Sequence, residues 1–156
     1  TDGVVFDGTY QTYYCVFSGG TMGTTASKLY CQVAVSSVFQ TSGYLAFENA
    51  GKYNGSASAS TYDVTAASLI STGCVYSTDT DAAFVGQIQF GDPRVAAEKK
   101  SAIFQTMTPF DNASNLRTFV GAGAFQTAGA INGFRFIPST GNFLTLRASL
   151  YGLTFA

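Results

Sequence analysis

The feature that most constrains the fold is an alternation of period two along nearly the whole chain. Helical periodicity of 3.6 residues is almost absent. The alternating segments are rich in β-branched and aromatic residues, which favour strands. They cover residues 11–17, 28–38, 43–49, 82–90, 101–107, 116–125, 132–137 and 142–153, with shorter candidates at 4–6 and 73–77. We therefore predict about eight to ten strands.

Turn-forming residues separate these segments. Clusters of Gly, Asn, Asp and Ser stand between them, and three prolines fall at or beyond predicted strand ends: Pro93, Pro109 and Pro138. Closely spaced short strands of this kind are typical of an antiparallel β-sandwich, and their number favours a jelly roll over a single meander. The 156 residues suit one domain, so we predict a single all-β domain over residues 1–156. Residues 62–70 are the one stretch that we interpret as a helix or 3₁₀ turn.

The last segment illustrates how the predicted strands separate a core side from a contact side. One side of residues 143–151 carries the aliphatic row Leu144, Leu146, Ala148 and Leu150, and the other carries Phe143, Thr145, Arg147, Ser149 and Tyr151. We expect segments 132–137 and 142–153 to form a hairpin whose second side meets another chain or a ligand. The contact residues predicted on this basis are Phe143, Arg147 and Tyr151, followed by Arg135 and Tyr13.

Composition indicates a neutral surface. Charged residues make up 11% of the chain against 46% hydrophobic, whereas ordinary soluble domains carry about a quarter charged residues. Neutral exteriors are poorly protected against self-association, which suits a subunit of an assembly. The net charge of −1 provides no cationic field for phosphates, which argues against nucleic-acid binding. No apolar run approaches the roughly 20 residues of a membrane span.

The residues available for catalysis are few. The chain has no histidine, which removes Ser-His-Asp and Cys-His systems and the usual zinc ligand sets. Most of the nine carboxylates lie in turn clusters, where Asp is favoured for its hydrogen bonds to the backbone. Asp79 and Asp81 lack the following Gly and Glu that complete a calcium loop, so we interpret them as a solvated turn. We also expect the Glu98-Lys99-Lys100 run to be a solvated turn or a charged guard of a strand edge. The sequence thus predicts no enzyme activity, no catalytic residues, no cofactor and no metal site.

The three cysteines, Cys15, Cys31 and Cys74, form no CxxC pair. Cys15 and Cys31 lie within apolar segments, so we favour buried thiols over a disulfide framework. The first ten residues lack the basic and apolar regions of a secretory signal. This predicts synthesis in a reducing cytoplasm.

Three stretches carry a resemblance to a known group of proteins: VVFDGTYQTYYCVFSGG, LYCQVAVSSVFQTSGY and AINGFRFIPSTGNFLTLRASLYGL. They resemble phage virion proteins, including tail-associated and fibre-end modules, found in phages of aquatic bacteria. The residues that match the group's pattern are Phe6, Tyr10, Tyr13, Phe17, Leu29, Val33, Ser36, Tyr44, Ile131, Gly133, Phe134, Arg135, Phe136, Gly141, Asn142, Leu150, Tyr151 and Gly152. Residues 50–115 match only loosely, and Leu144-Thr145-Leu146 replaces a Gly-Thr step of the group.

This resemblance implies a non-enzymatic structural subunit of a phage virion, made in the bacterial host cytoplasm. We expect a decoration, cement or tail-surface protein that binds capsid or tail neighbours and forms a homo-oligomer, with a trimer favoured. The alternative from another class is a receptor-binding adhesin at a tail or head fibre tip. Its contacts with a host surface glycan would come from Tyr44, Tyr53, Tyr62, Asp79 and Asp81. The absence of tryptophan counts against glycan binding and favours tyrosines packed in the fold or at an interface.

Overall fold

The computed structural model describes residues 4–24, 27–52, 59–68, 83–108 and 116–154. Within these ranges the chain is all-β and contains no helix. The strands are β1 (Val4–Val5), β2 (Thr12–Met22), β3 (Leu29–Val35), β4 (Val38–Phe39), β5 (Tyr44–Lys52), β6 (Ala59–Ala66), β7 (Phe84–Gly91), β8 (Lys100–Thr108), β9 (Arg117–Phe125), β10 (Ile131–Pro138) and β11 (Phe143–Leu153). The prediction of an all-β chain is confirmed. Across the described ranges, no helix is long and apolar enough to span a membrane.

The strands form two antiparallel sheets that pack face to face. The smaller sheet has the order β1-β10-β3-β4, and the larger has the order β11-β2-β7-β8-β9-β5-β6. Phe17 in the larger sheet meets Phe136 in the smaller at 4.8 Å between ring centroids, and Phe90 meets Phe134 at the same distance. These contacts confirm the predicted β-sandwich. The pairs β2·β11, β3·β10, β5·β9 and β7·β8 are nested along the chain, and the jelly-roll form stays a prediction.

The core lies between the sheets and follows from the alternation. In β8, Ala102 and Phe104 are buried, whereas Ser101 and Ile103 are exposed. Burial of each large apolar side chain stabilises the fold by about 1.5–3 kcal/mol relative to its exposure. Cys15 and Cys31 are buried in this core without a disulfide, as predicted, and Cys74 lies outside the described residues.

The prediction of a helix or 3₁₀ turn over residues 62–70 is wrong for its first part. Residues 62–66 belong to β6, which pairs with β5 in a register that joins Phe47 to Tyr62 and Glu48 to Thr61. The neighbouring strand supplies ladder hydrogen bonds to a segment that contains β-branched Val64 and Thr65, so pairing overrides the weak local preference. Residues 67 and 68 form a bend, and residues 69–70 lie outside the described ranges, as does the candidate strand 73–77.

The predicted closing hairpin is also wrong, because β10 and β11 lie in different sheets. β10 pairs with β1 and β3, whereas β11 pairs with β2. The connection between them hydrogen-bonds to the segment before β3: the Ser139 amide donates to the Lys28 carbonyl at 2.8 Å, and the Ser27 hydroxyl donates to the Thr140 carbonyl at 2.8 Å. These bonds hold the connection as a crossing from one sheet to the other.

Irregular pairing interrupts the alternation at the start of β11. The register with β2 shifts between Phe143 and Thr145 and again between Thr145 and Arg147. Phe143 therefore packs against the core, with its ring 6.4 Å from that of Phe84, and Leu144 is exposed. This corrects the expectation that Phe143 is a contact residue and Leu144 a core residue. From Arg147 to Leu153 the register is regular.

Candidate functional site: the outer face of the seven-stranded sheet

The surface with the strongest indication of function is the side of the larger sheet that points away from the smaller sheet. We call it the outer face, and define it as the outward-pointing side chains of β2, β5, β7, β8, β9 and β11. Alternation places them there, because each strand sends every second side chain into the core and the others outward. The exposed rows therefore follow directly from the strand register.

Two rows of side chains cross the outer face from β11 to β5. The first row, in the strand order β11-β2-β7-β8-β9-β5, is Tyr151, Tyr14, Gln89, Ile103, Ala122 and Phe47. The second row, in the same order, is Ser149, Val16, Gln87, Gln105, Val120 and Asn49. Next to the second row, Val85 on β7 pairs with Met107 on β8. Neighbours within a row are close enough for cross-strand contact.

Large apolar side chains on this face are unusually exposed. Ile103 is 59% exposed, Tyr151 56% and Val120 54%, and Val16 and Phe47 exceed a third. Single exposed apolar residues are ordinary on protein surfaces, but contiguous groups of them mark interaction sites. Here Tyr151 and Val16 on one side are connected to Ile103, Val120 and Phe47 on the other through the exposed pair Val85 and Met107, so together they form one contiguous group.

The outer face is also nearly uncharged. Among its described side chains, Arg147 on the edge strand β11 is the single charged one. The centre is occupied by the amides of Gln87, Gln89 and Gln105, which both donate and accept hydrogen bonds. A surface of this kind meets a neutral partner without the cost of removing charges from water.

A shallow depression of about 240 Å³ lies in the middle of the face. Its outward-facing lining consists of Tyr14, Gln87, Gln89, Ile103, Gln105 and Val120. The Gln87 amide donates to the Gln105 side-chain oxygen at 3.4 Å. The lining contains no carboxylate, lysine or cysteine, so its chemistry is that of neutral hydrogen bonding and apolar contact.

Two of the predicted contact residues belong to the outer face, and one lies elsewhere on the surface. Arg147 and Tyr151 project from β11 on this face, four residues apart, with Ser149 between them on the same side of the strand. Arg135 belongs to the smaller sheet, where its Nε and Nη2 donate to the Gln32 side-chain oxygen at 3.1 and 2.8 Å. Its guanidinium also lies 4.4 Å from the centre of the Phe39 ring. The structure therefore does not bring Arg135 together with Arg147.

Tyr13 is not a contact residue, because it is only 3% exposed. Its hydroxyl donates to the Asp7 carboxylate at 2.8 Å and accepts from the Gly8 amide at 3.2 Å. Burial, and next the hydrogen bond to Asp7, raise the pKa of Tyr13, while hydrogen bonds from Thr9 and Tyr13 lower the pKa of Asp7. Tyr13 thus fixes the loop before β2. The sequence prediction missed the burial of Tyr13, because the packing of the two sheets decides which side of β2 points into the core.

Tyr44, predicted as a glycan contact, is fully buried. Its hydroxyl accepts from the Val33 amide at 2.9 Å and donates to the Gln40 carbonyl at 3.0 Å. Burial raises its pKa to about 12. Tyr44 therefore joins the two sheets and cannot reach a ligand. Tyr53, Asp79 and Asp81 lie outside the described residues, and Tyr62 lies in β6 but its side chain is not described.

The sequence prediction missed the centre of the outer face, namely Ile103, Val120 and the glutamines. The alternation in β8 is visible in the sequence, but both of its sides carry apolar residues: Phe104 on one and Ile103 on the other. Period two alone cannot tell which of these two sides faces the core. The usable signal was the concentration of glutamine in QIQF and IFQT, on the same side as Ile103.

In the part of the chain that the structure describes, no three residues of the types His, Cys, Asp and Glu come close enough to hold a metal ion. Comparisons with protein-family models, curated proteins and solved structures found no match. Any function of the outer face is therefore inferred from the residues and geometry of this chain.

Proposed function

We propose that this protein is a non-enzymatic structural subunit of a bacteriophage virion and that its outer face is the interface with a neighbouring protein. The single observation that carries this proposal is the contiguous set of exposed apolar side chains on the outer face. Among the described side chains of that face, Arg147 is the one that carries a charge. The likeness of residues 4–20, 29–44 and 130–153 to phage virion proteins supports the assignment to a particle.

The physical gain in such an assembly is the removal of apolar area from water. Each Å² of apolar surface contributes about 25 cal/mol before the costs of association are counted. A single weak contact is strengthened when many copies bind a repetitive particle at once. A decoration, cement or tail-surface role uses these two effects and needs no catalytic group.

The test is co-sedimentation of the purified chain with particles of the phage that encodes it, combined with immunogold labelling. We expect the chain to label the particle and to sediment with it. Ile103→Lys on the outer face should reduce the bound fraction, whereas Val38→Lys, at an equally exposed apolar residue on β4, should bind like the wild type. Absence of the chain from the particle, or equal binding by both variants, would contradict the proposal.

A second candidate function, a glycan-binding adhesin, is favoured by the depression on the same face. Tyr14 offers an aromatic ring, and three glutamine amides offer the donors and acceptors that sugar hydroxyls need. Binding of the labelled chain to host cells, competed by free host polysaccharide and lost in Gln105→Ala, would support this function. A chain that binds particles and ignores host cells excludes it.

A further inference from the structure

We propose that the partner on the outer face is a second copy of this chain, related by a two-fold axis that runs along the boundary between β7 and β8. This inference rests on the proposed function of the outer face as an interface and names its occupant. It replaces the trimer favoured by the sequence with a two-fold dimer as the unit of assembly.

The evidence is an internal symmetry of the outer face. In the second row, residues at equal distances from the β7–β8 boundary have matching chemistry. Gln87 matches Gln105, Val16 matches Val120, and Ser149 matches Asn49.

The symmetry extends in part to the neighbouring rows. At the ends of the first row Tyr151 matches Phe47, so aromatic rings stand on both sides. On the other side of the second row, Val85 matches Met107. The remaining pairs of the first row place Tyr14 opposite Ala122 and Gln89 opposite Ile103, which combine a large with a small or a polar with an apolar side chain.

The proposed two-fold axis lies in the plane of contact and runs parallel to β7 and β8. Because of the internal symmetry, each side chain of a matching pair then faces its like partner on the other copy. The axis lays β7 over the partner's β8, β2 over its β9 and β11 over its β5. Glutamine amides then meet glutamine amides, which donate and accept equally well, and valine meets valine. Face-to-face sheets pack with strand directions within about 30° of each other, so the rows stay in approximate register.

Charge does not oppose this pairing. Arg147 lies on the edge strand β11, and the axis places the two copies of Arg147 at opposite edges of the interface. Five strand spacings of about 4.8 Å separate these edges by about 24 Å. This exceeds the screening length of about 8 Å at physiological salt, so the two arginines repel each other little.

The area is that of a stable dimer. Six strands at about 4.8 Å spacing and about eight residues of about 3.4 Å each give roughly 780 Å² per copy. Standard protein interfaces bury about 800 Å² per partner. The outer face therefore suffices as a dimer interface.

Sedimentation equilibrium of the full chain tests the proposal. We expect a dimer, and we expect Ile103→Lys and Val120→Lys each to raise the dissociation constant at least about a hundredfold, because each places two lysines in the contact. Val38→Lys is the matched control and should dimerise like the wild type. A cooperative thermal unfolding transition in each of the three variants shows that they are folded, and the two face variants unfold at a lower temperature to the extent that dimerisation stabilises the chain. A monomeric or trimeric wild type, or dimerisation unchanged by both face variants, overturns the inference.

Cross-linking tests the position of the axis. In one copy Val16 and Val120 lie three strands apart, about 14 Å, which exceeds the reach of a short thiol cross-linker. In a Cys74→Ala background, a mixture of Val16→Cys and Val120→Cys chains should give covalent dimers, and either variant alone should give few. Dimers from either variant alone place the axis elsewhere and overturn this arrangement.

The outcomes also separate this inference from the proposed function. A monomer that sediments with phage particles through the same face overturns the dimer and retains the virion role. A dimer that never associates with particles retains the dimer and overturns the virion role. Loss of dimers on addition of host polysaccharide would instead identify a glycan as the occupant and overturn the inference.

Discussion

At the scale of single residues, Tyr44 shows how one polar group holds the two sheets together. It belongs to β5 of the larger sheet, yet its hydroxyl bonds to the amide of Val33 in β3 of the smaller sheet. Its ring packs against Phe125 with centroids 5.2 Å apart. The side chain thus combines aromatic burial with two satisfied backbone groups.

Replacing Tyr44 by phenylalanine keeps the ring and removes the hydroxyl. The Val33 amide and the Gln40 carbonyl each lose a hydrogen-bond partner, and we expect the free energy of unfolding to fall by about 1–3 kcal/mol. Urea denaturation measures the change. Tyr151→Phe, at a 56% exposed side chain, is the control and should change stability by less than about 0.5 kcal/mol. Equal stability of both variants would show that the Tyr44 hydroxyl does not join the sheets.

The buried thiols and Tyr44 make the free energy of unfolding fall at alkaline pH. Burial raises the pKa of Cys15 from 9.0 to about 12 and that of Tyr44 from 10.0 to about 12, and burial also raises the pKa of Cys31 well above its ordinary value. Because the folded-state pKa values are raised, this stability is complete below about pH 9 and is lost as pH rises towards about 12.

Chemical denaturation near neutral pH and between about pH 9 and about pH 11 measures this loss. Each group that ionises only on unfolding contributes a slope of about 1.4 kcal/mol per pH unit. Cys15→Ala should remove about one such contribution from the slope, whatever its effect on stability at neutral pH. A flat profile up to about pH 11 would mean that these groups are not buried as described.

Lys100 illustrates why some residue roles could not be predicted. The sequence Glu98-Lys99-Lys100 suggests a solvated turn, but Lys100 is buried. Its ammonium group donates to the carbonyls of Val95 and Glu98 and so provides hydrogen bonds to two backbone groups of the loop between β7 and β8. Those acceptors are created by the fold of the loop and leave no pattern in the sequence.

At the scale of elements, glycines set how closely β7 packs. A Cβ atom on Gly86 would lie 2.6 Å from the Phe17 ring and 2.7 Å from the Gln105 carbonyl oxygen. Both distances are shorter than real contacts allow, and the carbonyl belongs to the paired strand β8. The close approach of β2, β7 and β8 at this point therefore requires glycine.

Gly86→Ala should accordingly lower the free energy of unfolding by about 1–3 kcal/mol through overpacking. Gly91→Ala lies at the end of the same strand, where an added Cβ meets nothing within 4 Å, and should change stability by less than about 0.5 kcal/mol. Thermal unfolding of the two variants gives the comparison. If Gly91→Ala destabilised the chain as much as Gly86→Ala, strand propensity and not packing would set the effect.

The strands themselves were largely predictable, and their arrangement was not. Alternation located β8, β9 and β11 to within one or two residues, because period two arises within a single strand. The placement of β10 and β11 in different sheets depends on bonds between residues 139–140 and residues 27–28, more than a hundred positions earlier. The irregular register at Phe143 and Thr145 similarly depends on β2, so the side assigned to Phe143 could not be read from β11 alone.

At the scale of the whole molecule, the two sides of the larger sheet have different roles. One side carries the core against the smaller sheet. The other keeps Ile103, Val120 and Tyr151 more than half exposed, so these side chains contribute little burial to the single chain. The central claim is that another protein chain covers this second side, and we propose that it does so in a phage particle.

A density map of the intact phage particle, into which the sandwich can be placed, tests that claim most directly. We predict that each copy is found in the particle with Ile103 and Val120 buried against another protein chain. A map in which the outer face of every copy points into open solvent would contradict the account.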